Sequence, residues 1–135
     1  MKYDVAELIS TMLKEAGMSE FISDDLSNHS TISLNMKDDI PAINIKSIDD
    51  DVWLWAKLGE FNINSLAYSS INLLPLMFDY NEEYFITGQP CLYPVDGQLE
   101  LRAQVLEKHL ASANDFLSVL DHYLTIMLNY RSVLA

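Results

Sequence analysis

Apolar residues recur at three- and four-residue intervals near the start of the chain. Val5, Leu8, Ile9, Met12, Leu13 and Ala16 form one stripe, with Glu7, Ser10, Thr11, Lys14 and Glu15 opposite. That period predicts an amphipathic helix. Asp4 followed by Glu7 resembles a capping box, and Gly17 stands where a helix commonly ends in a left-handed residue. After a polar linker around Ser23 to Asn28 the period changes to two. Ile32, Leu34 and Met36 alternate with Thr31, Ser33 and Asn35, and then Ile43 and Ile45 alternate with Asn44 and Lys46. Each run predicts a strand with one buried face. The segments between strands, Lys37-Asp38-Asp39 and Ser47 to Asp51, are short and polar, which fits an antiparallel meander and not parallel strands with long crossovers.

The third strand is apolar on both faces. Trp53 and Trp55, the only tryptophans of the chain, point one way, while Val52, Leu54, Ala56 and Leu58 point the other. Such a strand is buried twice, or buried once and used once. From Asn64 to about Tyr80 the pattern is helical, with Leu66, Ile71, Leu74 and Met77 as anchors and Asn62 or Asn64 as cap. Pro75 removes the hydrogen bond to the Ile71 carbonyl and predicts a kink or an end near Leu74. Pro90 and Pro94 make the next stretch, Cys91-Leu92-Tyr93, an edge or broken strand. Asp96-Gly97 reads as a hairpin turn into Leu99, Leu101, Ala103 and Val105, which alternate with Glu100, Arg102 and Gln104.

The C-terminal segment, from about Ser112, carries two apolar stripes. One is Leu110, Ala113, Leu117, Leu120, Leu124, Met127 and Leu128; beside it run Phe116, Val119, Tyr123, Ile126 and Tyr130. One stripe covers a sheet, and two imply another surface. The predicted order is αβββαββα: an α+β domain spanning residues 1–135, with three helices on a mostly antiparallel five-stranded sheet. Helix 2 and the second stripe leave more apolar surface than one domain of 135 residues usually hides, so a homodimer is expected.

A formal net charge of -12 argues against nucleic acid or an anionic membrane surface as partner. Half of the residues are hydrophobic, which excludes the composition of a disordered chain. The single Cys91 cannot close an intrachain disulfide and fits a reducing compartment. The N-terminus lacks a continuous apolar leader, and no stretch has the apolar length of a membrane span.

Catalytic and cofactor motifs are missing from the sequence. It has no nucleophile elbow, no P-loop and no dinucleotide fingerprint in a chain of only four glycines. His29, His109 and His122 do not share a helix face at metal-pair spacing, and one cysteine cannot make a thiolate zinc site. Asp24-Asp25, Asp38-Asp39, Asp49-Asp50-Asp51 and Glu82-Glu83 fall at predicted turns without the spacing of a calcium loop. They read as solvated charge that keeps an apolar protein soluble. No enzyme, metal or cofactor is expected.

Three strand segments carry a resemblance. Asn28-His29-Ser30-Thr31-Ile32, Pro41-Ala42-Ile43-Asn44-Ile45 and the segment from Asp49 to Gly59 with its Trp pair resemble the InvB/SpaK family of type III secretion chaperones. The order of elements extends the resemblance over nearly the whole chain. It implies a small acidic homodimer of the bacterial cytoplasm that binds the non-globular segment near the N-terminus of secreted effectors and keeps it competent for the export apparatus. It also implies several effectors per chaperone and no nucleotide hydrolysis by the chaperone itself. On the matching strand positions, Ile32, Leu34, Ile43, Ile45, Trp53 and Trp55 are the expected effector-binding residues. Leu66, Ile71, Leu74 and Met77 on helix 2 are the expected dimer interface, although Pro75, Pro90 and Pro94 depart from the family's pattern there. The alternative is a homodimeric α+β adaptor or regulator that binds one folded protein.

Overall fold

A computed structural model describes residues 5–15, 31–79 and 83–134. The elements run α1 (Val5–Glu15), β1 (Ile32–Leu34), β2 (Ile43–Ile48), β3 (Asp51–Glu60), α2 (Ile63–Phe78), β4 (Cys91–Val95), β5 (Gln98–Gln104) and α3 (Ala113–Leu134), with one 3-10 turn at Glu107–His109. This is the predicted αβββαββα order. The expected Asp4 cap, the Gly17 stop, the Ser23–Asn28 linker, His29 and the Asp24-Asp25 pair lie outside the described residues, as do Ala16, Tyr80 and Glu82.

The five strands form one antiparallel sheet in the order β1-β2-β3-β5-β4. Two turns fix its register. Asp49 and Asp50, with φ of 51° and 70°, close the β2–β3 hairpin so that Ile48 faces Asp51. Asp96 and Gly97, with φ of 50° and 77°, close the β4–β5 hairpin with Val95 opposite Gln98. Consecutive left-handed residues match the twist of a two-residue hairpin, and Asp and Gly adopt that conformation at low cost. The acidic turns therefore have a backbone role beside their charge.

Ile32, Leu34, Ile43, Ile45, Val52, Leu54, Ala56, Leu101 and Ala103 form the buried inner face of the sheet. Helix α3 covers it with Phe116, Val119, Tyr123 and Met127. The Tyr123 hydroxyl donates to the Leu101 carbonyl at 2.6 Å, tying the centre of α3 to the middle of β5. Helix α1 packs on one flank of α3 through Ile9, Met12 and Leu13, and α2 packs on α3 as well. All three helices thus lie on one side.

Helix α2 matches its expected cap and extends past its proline. It runs through Pro75 to Phe78 instead of ending near Leu74. It is capped by Asn62, whose Oδ1 accepts from the Asn64 and Ser65 amides at 3.0 and 3.2 Å. Its inward contacts come from Ser69 and Leu73, with Leu66 and Leu76 half-buried beside the core. Ile71, Leu74 and Met77, expected as anchors, face outward. Glu100, which alternates with the apolar row of β5, is only 3% exposed.

Tyr123→Phe should lower stability by about 1 kcal/mol, because it removes one buried hydrogen bond without opening a large cavity. A shift of the urea midpoint with unchanged slope would register this loss. Alkaline stability follows from the same helix. Burial pushes the Tyr130 phenol up from 10.0 to about 12, with Cys91 and Asp79 adding to the shift, and burial raises Tyr123 further still. The folded chain keeps protons that the unfolded chain releases. Stability from these groups is complete below pH 10 and declines as pH rises from there through about 12. Urea midpoints measured at stepped alkaline pH should fall over that window, with tyrosinate absorbance appearing in the unfolding step.

Candidate functional site

Strand alternation divides the expected binding residues. In an antiparallel pair, directly opposed residues share a face. Ile45 opposes Leu54 and Ile32 opposes Ile45, so the isoleucines face the helices, whereas Lys46 opposes Trp53 and Asn44 opposes Trp55 on the other side. Ile32, Leu34, Ile43, Ile45, Trp53 and Trp55, the expected effector-binding residues, therefore do not share one face. Ile32 and Ile45 are sealed in the core, Leu34 and Ile43 are buried at the edge of a cleft, and the tryptophans are half-buried on the opposite face.

The cleft has a volume of about 400 Å³ and opens between α1, β1 and α3. Met12 and Leu13 of α1 form one wall, and Leu117, Leu120 and Leu124 of α3 form the other. Leu34, Ile43, Met36 and Ile40 complete it, with Lys37 and Asp121 as charged groups at its margin. Two flexible thioethers suit such a site, because methionine repacks around differently shaped apolar groups. Leu117 is 42% exposed although it lies on an apolar stripe. The stripe carrying Leu117, Leu120 and Leu124 therefore faces this cleft. Its spacing was the one sequence signal for the site, and Met12, Leu13, Met36, Ile40, Leu117, Leu120 and Leu124 were not singled out as binding residues.

Beside the cleft, β1 is an edge of the sheet. It pairs only with β2 among the described residues. An extended chain laid along this edge would find backbone donors and acceptors next to a row of apolar side chains. Asp39, at 2.9 Å from Arg131, links the β1–β2 connection to the end of α3.

The opposite face of the sheet combines aromatic and basic groups. Ser33 donates to Asn44 Oδ1 at 2.6 Å, and Asn44 Nδ2 donates to the Trp55 carbonyl at 3.3 Å. Arg102, directly across from Trp55, places its guanidinium 5.2 Å from the ring centroid and its Nε 3.0 Å from Glu100 Oε1. Cys91 and Tyr93 continue these rows on β4. A hydrogen bond with Cys91 is the main cause raising the Tyr93 phenol, and proximity to Arg102 opposes it.

Helix α2 presents a third surface. Its 16 residues contain no charged side chain, and Ile63, Tyr68, Ile71, Leu74 and Phe78 are exposed, Tyr68 to 89% and Ile71 to 78%. Of the expected interface set, Ile71, Leu74 and Met77 belong to this surface and Leu66 turns partly to the core.

His109 and His122 serve packing. His109 and His122 flank the Tyr84 ring at centroid distances of 4.9 and 4.6 Å, and His109 Nε2 is 2.7 Å from the Glu83 carbonyl. Among the described residues no three His, Cys, Asp or Glu side chains converge as metal ligands, and no helix is long and apolar enough to cross a membrane.

Comparisons with known proteins agree with this architecture. Residues 17–96 match the sequence model of the invasion protein B family. Surface presentation of antigens protein SpaK of Salmonella typhimurium is 30% identical over 120 residues, covering 89% of this chain and 87% of that protein. The protein of the same name from Salmonella typhi matches equally. Among solved structures, the Yersinia pestis type III secretion chaperone SycH, in complex with a stable fragment of YscM2, shares the fold. Its TM-score is 0.59 at 15% identity, covering 93% of this chain and 98% of that one. With a family model matching more than half of the chain and a relative 30% identical over most of its length, this protein belongs to the invasion protein B family, the family of SpaK.

Proposed function

We propose that the chain binds a non-globular segment near the N-terminus of type III secretion effectors in the cleft between α1, β1 and α3, and keeps that segment competent for export. The observation that carries this reading is the junction of an apolar cleft with the β1 sheet edge. An extended segment gains main-chain hydrogen bonds along the edge while spaced apolar side chains enter the cleft. A folded partner offers neither. Met12 and Met36 allow different apolar side chains to be accommodated, which supports service to more than one effector. The bacterial cytoplasm is the proposed location, and the export apparatus the proposed recipient of the complex.

The working unit in this reading is a homodimer joined through α2. A chargeless helix with this much exposed apolar side chain is costly in water, and a self-complementary contact between two copies removes it. Ile71, Leu74 and Met77 form the centre of that contact, with Leu66 behind them. Pro75 lies on the exposed side of the same helix, where it constrains the geometry.

Limited proteolysis of a complex purified from the native bacterium should leave an extended effector segment protected on an intact chaperone. A compact protected partner domain would favour the adaptor reading instead. Leu117→Glu places a charge in the cleft at an exposed position, so it should leave melting unchanged within about 0.5 kcal/mol. It should weaken effector-segment binding by about 2 kcal/mol, as read by calorimetry. For the dimer, light scattering should give twice the chain mass. The pair Ile71→Glu with Leu74→Glu should give a soluble monomer, and a wild-type monomer at micromolar concentration would remove this part of the proposal.

A further inference from the structure

The sheet face that carries no helix among the described residues reverses the charge of the molecule. The chain carries 8 Lys and Arg against 20 Asp and Glu, yet Lys46, Lys57 and Arg102 all stand across the middle of this face. Lys46 opposes Trp53, Arg102 opposes Trp55, and Lys57 follows Trp55 on the same side of β3. Glu100, opposite Lys57, is the carboxylate of this central region, and it is nearly buried against Arg102. Asp51 and Glu60 sit at the two ends of β3. Among the described residues, neither Lys46 nor Lys57 forms an ion pair.

We propose that this face, with Trp53 and Trp55 flanked by Lys46, Lys57 and Arg102, is a second docking surface that takes an extended acidic segment of a partner protein. Charge complementarity selects the occupant. Over most of its surface a chain of net charge -12 repels an acidic segment, and here two ammonium groups without ion-pair partners among the described residues stand beside aromatic rings. The spacing selects an extended form. Trp53, Trp55 and Lys57 are alternate residues of one strand, roughly 6.8 Å apart in succession, which is the side-chain repeat of another extended chain. Apolar side chains of the partner meet the two rings and a carboxylate meets the lysine. Arg102, held by Glu100 and stacked over Trp55, keeps that ring in place. This surface lies across the sheet from the cleft and does not depend on what the cleft binds.

The test uses the position of the only two tryptophans, whose emission reports directly on this face. The probe is a synthetic peptide whose alternate positions read glutamate, leucine, leucine, glutamate, with serine between them; a control carries lysine for glutamate. Emission should change saturably with the acidic peptide, and raising the salt concentration should weaken its binding. The lysine control should leave emission unchanged. Lys46→Gln with Lys57→Gln should weaken binding at least about fivefold, and Lys46→Glu with Lys57→Glu at least about tenfold, with melting temperature unchanged. Leu117→Glu in the cleft should leave this titration as in wild type, so failure here and failure of the cleft reading are separate results. Absence of a saturable change, equal binding of both peptides, or binding insensitive to salt would overturn the proposal. So would a change in molecular mass by light scattering in the Lys46→Gln, Lys57→Gln protein, because the face would then belong to a second copy of the chain.

Discussion

Strand β3 imposes the constraint on which the other parts depend. It is the middle strand of the sheet, bonded to β2 on one side and β5 on the other, and its Val52, Leu54 and Ala56 are almost wholly buried. With a side-chain period of two, burying these residues sends Trp53, Trp55 and Lys57 to the opposite face. A slip of one residue in β3 would drive Trp53, Trp55 and Lys57 under α3 and expose Val52, Leu54 and Ala56. The two acidic hairpin turns prevent that slip, and the inner aliphatic rows and the outer aromatic-basic rows then follow together.

Helix α3 turns the single buried face into a molecule with several usable surfaces. One of its stripes lies on the sheet, and the Tyr123 bond to Leu101 fixes its position there. Its flanks receive α1 and α2, which pack on α3 while it packs on the sheet. The cleft results from this arrangement, lying between α1 and α3 beside the short strand β1, with Leu117 exposed and Leu124 half-buried in its wall. The exposed side of α2 has the same origin. A helix held mainly by another helix buries one narrow stripe, here Ser69 and Leu73, and its remaining apolar residues face solvent. Family membership fits a protein whose apolar surplus is distributed over a cleft, a helix and a sheet face instead of being gathered into one core.

The periodicities of Val5 to Leu13, Ile32 to Ile45 and Leu99 to Val105, with Asp96-Gly97 between strands, were sufficient to determine the element order and the antiparallel sheet. Each depends on neighbours close in sequence, as does the Asn62 cap of α2. The strand segments around Ile43 and Trp53 carried the family. Local pattern did not reveal that Ile32 and Ile45 are core while the Trp pair faces away, because cross-strand register depends on which residues pair. It said only that Glu100 alternates with the apolar row, and the burial of Glu100 comes with Arg102 and the neighbouring strands. It left open whether α2 kinks or ends near Leu74, and the helix, packed on α3, runs on to Phe78. The cleft was legible only as one of two apolar stripes on the last helix. Amphipathic period fixes what kind of element forms and which side is apolar; which apolar side is covered depends on the geometry of elements distant in sequence, and only the tertiary structure decides that.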